Sequence, residues 1–246
     1  MLISACSSST AGSASGSGNA SDGVSGSAPA TVVNGSKGCQ FTATPSDPAP
    51  SGKAVGVPPA AAPATGAATV TLHTSDGDIP LTLNRTAAPC TVASFVFLTS
   101  KKYFDNTPCH RLTSYADPTP LKVLQCGDPT GLGTGGPGYT IPDENPTGLK
   151  AAPAGSNGAS VYPRGSVAMA NTGQPNSGGS QFFLVYGDSY LPPQYSLFGT
   201  VGAAGLATLD KIAAGGITPG TDSSGTSDPN DGAPKLKVTI TQAVSG

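Results

Sequence analysis

Tryptophan is absent from the 246 residues, and histidine and methionine occur only twice each. Charged residues make up 11% of the chain, and the formal net charge is −2. With no block of Lys or Arg, the sequence lacks the basic footprint that a nucleic-acid partner requires. No run approaches the roughly 20 apolar residues needed to cross a bilayer. His73 and His110 are the only imidazoles and neither sits in a ligand cluster, so no metal and no cofactor is expected. No pair among the five cysteines has C-x-x-C spacing. A G-x-S-x-G elbow is also missing, which argues against a serine hydrolase.

What is abundant is glycine, at 34 residues, and proline, at 24. Residues 7–36 are almost wholly Ser, Gly, Ala, Thr and Asn, a composition that cannot offset its ordering entropy by burial. Prolines at 45, 48, 50, 58, 59 and 63 then suggest a stiffer linker at the domain edge. The segment 7–67 is therefore read as tether and linker, and 68–246 as the folded domain. The opening MLISAC resembles the end of a bacterial lipoprotein signal peptide, which makes Cys6 the lipidated residue. The charged and most of the apolar parts of such a signal are missing, so the start reads as truncated or misassigned. Attachment would be by lipid, placing the protein outside the cytoplasm, anchored to the bacterial cell membrane or secreted. Cys39, Cys90, Cys109 and Cys126 remain, and an even count in an exported chain favours two disulfides. Three pairings are possible. If Cys109 and Cys126 flank the arms of one hairpin they are cross-strand neighbours, leaving Cys39 for Cys90.

The densest pattern lies at 165–186, GSVAMANTGQPNSGGSQFFLVY. Two apolar β-type runs are joined there by a connection too rich in Gly, Asn and Ser to be regular structure. Upstream stand CHRL at 109–112 and LQCGDPTGLGTGGPGYTIPDEN at 124–145, and downstream DSYLPPQYSLFGTV at 188–201. Gly131, Gly133 and Gly136 satisfy G-x-G-x-x-G, but Pro137-Gly138 forbids the helix that a dinucleotide site needs.

Strands are predicted at 70–73 and 79–83 around Ser75-Asp76-Gly77-Asp78, and a helix at 89–100 from Pro89 and the spacing of Val92, Phe95 and Val96. Further strands are expected at 109–112, 121–126, 166–170, 181–186, 196–201 and 236–243, with a second helix near 203–213. The stretches 146–164 and 217–234 read as loops. Eight strands and two helices without a βαβ rhythm point to a mainly β protein, an antiparallel barrel.

In its ordered motifs the sequence resembles the cyclophilin family of peptidyl-prolyl isomerases. The family pattern of His-Arg, Gln-Gly-Gly-Asp, a Gly-rich loop to Asp-Glu-Asn, Met-Ala-Asn, Gly-Ser-Gln-Phe-Phe and Phe-Gly has its counterparts here. These are His110-Arg111, Gln125-Cys126-Gly127-Asp128, Gly131 to Asn145, Met169-Ala170-Asn171, Gly179 to Phe183 and Phe198-Gly199. The resemblance spans roughly 68–244 and implies a closed eight-stranded antiparallel barrel capped by two α-helices, with the site on its outer face. It also implies catalytic Arg111, with His110 and Gln125 beside it. Substrate contacts would come from Val123, Ala170, Asn171, Gln181, Phe183, Tyr190, Leu191 and Tyr195, whereas Phe182 and Phe198 would be core.

Two positions depart from the family. Lys122 stands where a pocket Phe is usual, and Tyr190 where many members carry the Trp linked to tight cyclosporin binding, so weakened cyclosporin affinity is expected. The function implied is cis/trans isomerisation of X-Pro bonds in proteins folding outside the cytoplasm, by a monomer whose partners are proline-containing peptides and unfolded proteins. The alternative is a catalytically weak proline-peptide-binding module or chaperone of the same fold.

Overall fold

The computed structural model describes residues 32–33, 35–44, 53–221 and 225–246. Cys6 and the Ser/Gly-rich segment up to residue 31 lie outside the described residues. Four short strands precede the main domain: β1 (Val32–Val33), β2 (Ser36–Gly38), β3 (Thr42–Ala43) and β4 (Ala61–Pro63). β2 pairs with both β1 and β4. A Cys39–Cys90 disulfide, with Cα atoms 5.6 Å apart, ties this extension to the first helix. Cys39 and Ala62 belong to the main core, so the described part of this extension packs on the domain.

β5 (Ala67–Thr74) and β6 (Gly77–Asn84) form the expected hairpin. Alternation turns Val70, Leu72, Ile79, Leu81 and Leu83 inward, each almost fully buried. α1 (Pro89–Ser100) follows at its predicted limits, with Pro in the first turn and no side-chain cap from Ala88. The cap comes from far along the chain. Glu144 accepts from the backbone N–H groups of Cys90 and Thr91 at 3.0 and 2.8 Å, placing negative charge at the positive end of the helix.

Next come β7 (Thr107–Pro108), β8 (Arg111–Thr113) and β9 (Lys122–Cys126), stapled by a second disulfide, Cys109–Cys126. They are followed by β10 (Tyr139–Thr140), β11 (Ser160–Tyr162), β12 (Ser166–Met169), β13 (Phe182–Gly187), β14 (Ser189–Leu191) and β15 (Leu197–Val201). α2 (Ala203–Ala214), β16 (Ile217–Thr221), β17 (Ser227–Pro234) and β18 (Thr239–Ser245) complete the described elements. One antiparallel sheet of 11 strands runs in the order β16-β17-β8-β9-β13-β12-β15-β6-β5-β18-β7. It curls round a core in which Phe95 of α1 meets Phe104, Phe182 and Phe198 at centroid distances of 4.9, 5.1 and 5.3 Å. Phe182 and Phe198 are thus core residues, as alternation predicts.

The fold is mainly β with two helices, but the closed eight-stranded barrel is not what forms. The sheet is a curled, open half-barrel of 11 strands: β16 and β7 end it, and among the described residues no ladder joins them. The stretch 217–234, which was expected to be loop, adds two strands at one end of this sheet. It folds as the β16–β17 hairpin, and β17 takes the free edge of β8. The stretch 146–164 is likewise not all loop, since β11 pairs with β14 and buries Tyr162.

Candidate active site

Cross-strand register builds the site. Arg111 of β8 lies opposite Gln125 of β9, Gln125 opposite Phe183 of β13, and Phe183 opposite Ala168 of β12. These residues therefore form one row on the outer face, while their neighbours Leu112, Leu124, Phe182 and Leu184 point into the core. Phe183 and Ala168 of the row belong to a second apolar cluster: Val123, Tyr162 and Val185 are buried with them, and Leu121, Ala170, Leu191 and Tyr195 pack around. Tyr195 meets Phe183 edge to face at 5.5 Å.

A cavity of about 250 Å³ opens over this cluster, lined by Arg111, Leu121, Val123, Gln125, Ala170, Asn171, Phe183, Leu191 and Tyr195. A second, of about 440 Å³, shares Gln125, Ala170 and Asn171 and extends past Gln181 along the Gly133–Pro137 loop. The two make one cleft, with Leu121, Val123, Phe183, Leu191 and Tyr195 walling the first lobe and glycine, threonine, serine and amide residues lining much of the second.

Polar side chains along the cleft are tied in series. Asp231 of β17 accepts from Arg111 Nε at 2.7 Å and Nη2 at 2.6 Å. Arg111 Nη1 donates to Gln125 Oε1 at 3.2 Å, Gln125 Nε2 donates to Gln181 Oε1 at 2.9 Å, and Gln181 Nε2 donates to the Gly133 and Gly135 carbonyls at 3.0 Å. Because Arg can only donate, each amide in the series has its orientation fixed. The bond to Asp231 holds the Arg111 guanidinium further above its usual range, against the opposing effect of burial. Asn171 spans the far side, donating to the Gln194 carbonyl at 2.9 Å and accepting from Gly173 N–H at 3.0 Å.

The glycine-rich loop is anchored by buried Asp128, which accepts from Thr130 N and Oγ1 and from Gly135 N. Burial alone would raise its carboxyl pKa, but the bonds from Gly135 and Thr130 outweigh it and hold it below the usual range. Gly135 admits no side chain, since a Cβ would sit 2.1 Å from Asp128 Oδ1.

Arg111, Gln125, Val123, Ala170, Asn171, Phe183, Leu191 and Tyr195 come together at the first cavity, and Gln181 lines the second. His110 and Tyr190 line neither. His110 sits beneath Gly133, where a Cβ would lie 3.5 Å from its ring. Neither of its ring nitrogens has a hydrogen-bond partner among the described residues. Burial pushes its pKa below 6.5, Asp128 pulls it up and Arg111 pushes it down again. Tyr190 stands in the small β11–β14 sheet opposite Val161. Lys122 does not enter the pocket either: its stem runs over Gly187, and Leu121 supplies the wall.

Sequence reasoning did not find Leu121, Tyr162 or Asp231. Tyr162 donates to the Tyr195 carbonyl at 2.9 Å and braces the pocket from beneath. The aromatic before Pro163 was its only signal. Asp231 stood in a stretch with no apolar alternation.

The curled antiparallel sheet thus carries a cleft on its outer face, with one cation, Arg111, among the residues lining the first cavity. The chain belongs to the cyclophilin type peptidyl-prolyl cis-trans isomerase/CLD family, whose pattern matches residues 69–244. It is 53% identical over 170 residues to the probable peptidyl-prolyl cis-trans isomerase B of Mycobacterium leprae, covering 69% of this chain and 54% of that one. The protein of the same description from Mycobacterium tuberculosis is 50% identical over 176 residues, covering 71% and 53%. The chain thus spans about half the length of these two relatives. A crystal structure of a Cryptosporidium parvum cyclophilin type peptidyl-prolyl cis-trans isomerase superposes with TM-score 0.53 at 28% identity, covering 74% of this chain and 98% of that one.

Proposed function

We propose that the protein is a peptidyl-prolyl cis/trans isomerase. The observation that carries this reading is the row Arg111–Gln125–Phe183, which sets an oriented cation at the edge of an apolar cavity. Rotation about a peptide bond faces a barrier of about 18–20 kcal/mol because it destroys amide resonance. No covalent step is needed. A prolyl ring seated against Phe183, Leu121 and Val123 is held while the flanking backbone turns. Arg111 then donates to the prolyl nitrogen as it becomes pyramidal, an interaction that strengthens only in the twisted state. Gln125 and Asn171 grip the peptide backbone, since an amide both donates and accepts. His110 supports the loop from beneath.

The Cryptosporidium parvum enzyme has also been crystallised in the presence of the dipeptide Ala-Pro, which supports proline peptides as substrates. Adding wild-type protein to an Ala-Pro peptide should accelerate cis/trans exchange measured by NMR, and chelators should not abolish the effect. An unchanged exchange rate at catalytic protein concentrations would overturn the reading.

The thiols support a compartment outside the cytoplasm. Two disulfides favour an oxidising environment, and the MLISAC opening supports an exported chain tethered through lipidated Cys6, with unfolded exported proteins as substrates and a monomeric working form. Tyr190 in place of Trp supports weak cyclosporin binding. Cys6→Ala should move the expressed precursor from the detergent phase to the aqueous phase; identical partitioning of both forms would remove the anchor.

A further inference from the structure

Arg111 is gripped by a residue from outside the motifs that define the site. In the β17–β8 ladder Asp231 lies opposite Thr113 and Gly232 opposite Leu112, which puts Asp231 on the same face as Arg111 and diagonal to it. The carboxylate takes two guanidinium N–H groups side-on, and Gln125 takes a third. Of the five N–H groups on an arginine, two are left, one on each terminal nitrogen.

The hairpin that presents Asp231 is itself fixed. The Tyr115 hydroxyl donates to the Asp228 carboxylate, Asn230 N–H donates to Asp228 Oδ1 at 2.8 Å, and Ser114 N–H donates to the Asn230 carbonyl at 2.9 Å. Next to Asp231 the backbone is closed so tightly that a Cβ on Gly232 would lie 2.2 Å from the Thr218 carbonyl oxygen.

We propose that Asp231 is a positioning residue, which sets the plane of the Arg111 guanidinium so that its two uncommitted N–H groups point into the cleft. The proposal rests on the reading of Arg111 as the donor to the twisted prolyl bond. A free arginine explores many rotamers and must be ordered at each turnover, whereas one held on two sides presents its donors already aimed. The carboxylate also offsets the positive charge, so what it contributes is direction rather than field. The sign of its effect separates these two actions.

The test compares wild type, Asp231→Asn, Asp231→Glu, Arg111→Ala and the Arg111→Ala/Asp231→Asn double variant. Each is measured by NMR exchange on an Ala-Pro peptide and by a binding titration of the same peptide. Asp231→Asn should lower kcat/KM by between about tenfold and about a hundredfold, the range for a displaced reacting group. Peptide Kd should stay within about twofold, because the apolar pocket is untouched. Asp231→Glu should recover part of the loss, and Asp231→Asn should add nothing once Arg111 is gone. A rate for Asp231→Asn equal to or above wild type would overturn the proposal, as would a collapse of binding in parallel with rate. If Arg111→Ala itself turns over like wild type, the reading of Arg111 fails, and the positioning role fails with it.

Discussion

In the proposed reading a prolyl ring would sit against Phe183 of β13 and Leu121, the residue just before β9, which both line the first cavity. Removing either should weaken peptide binding and lower kcat/KM by a similar factor, since the contact is made in both ground and twisted states. Loss of one apolar wall side chain is worth about 1–3 kcal/mol, so titration of Phe183→Ala should show roughly a tenfold or greater rise in Kd. Unchanged binding would take Phe183 out of the pocket. His110 gives a pH signature of a different kind. Its pKa is lowered on folding, chiefly by burial. Above pH 6.5 it is neutral whether folded or unfolded, and its contribution is complete. As pH falls through 6.5 the unfolded chain takes up a proton that the folded chain resists, so stability drops until the folded pKa is reached. Urea titrations between pH 7.5 and 5 should show this drop, and His110→Gln should flatten it; identical slopes would contradict the assignment. At this scale the motifs made most of the site legible, since Arg111, Gln125 and Phe183 were identifiable from residue type and order. Leu121 was not, because the motif match put Lys122 at the pocket position, and a displacement of one residue exchanges the two faces of a strand.

The elements most open to sequence reading were those with a period. The β5–β6 hairpin alternates cleanly, and α1 begins at a proline and carries its apolar residues at helical spacing. The β16–β17 hairpin was hidden because Pro219, Gly220, Pro229 and Gly232 interrupt any alternation, and what holds it is the ladder to β8 and the polar grip of Asp228 and Asp231. The start of α1 carries a second non-local device. Glu144, only 3% exposed in its side chain, accepts from two backbone N–H groups, from Thr91 Oγ1 and from Lys37 Nζ. Glutamine has one acceptor end and one donor end, so it cannot meet the donors at both oxygens. Glu144→Gln should therefore cost about 1–3 kcal/mol in denaturant unfolding while leaving peptide Kd unchanged. A variant as stable as wild type would mean that the helix start is satisfied in another way.

Across the whole molecule, the extension is tied to the domain by a covalent link that the cysteine count anticipated and by polar and strand contacts that it did not. Cys39–Cys90 fixes the extension to α1, Lys37 reaches Glu144, and β3 pairs with β10 beside the cleft's glycine-rich loop. The sheet expected to close is an open half-barrel, and the β16–β17 hairpin pairs with β8 beside Arg111 to end it on that side. The same hairpin presents the carboxylate that grips the proposed catalytic cation. The proposed catalysis depends on Arg111 acting in the twisted state. Its most direct test is Arg111→Ala against wild type, with cis/trans exchange of a prolyl peptide and equilibrium binding of that peptide measured on the same samples. The account predicts a loss of at least about a hundredfold in kcat/KM, with Kd within a few-fold of wild type. Exchange at the wild-type rate, or a loss matched by an equal loss of binding, would contradict it.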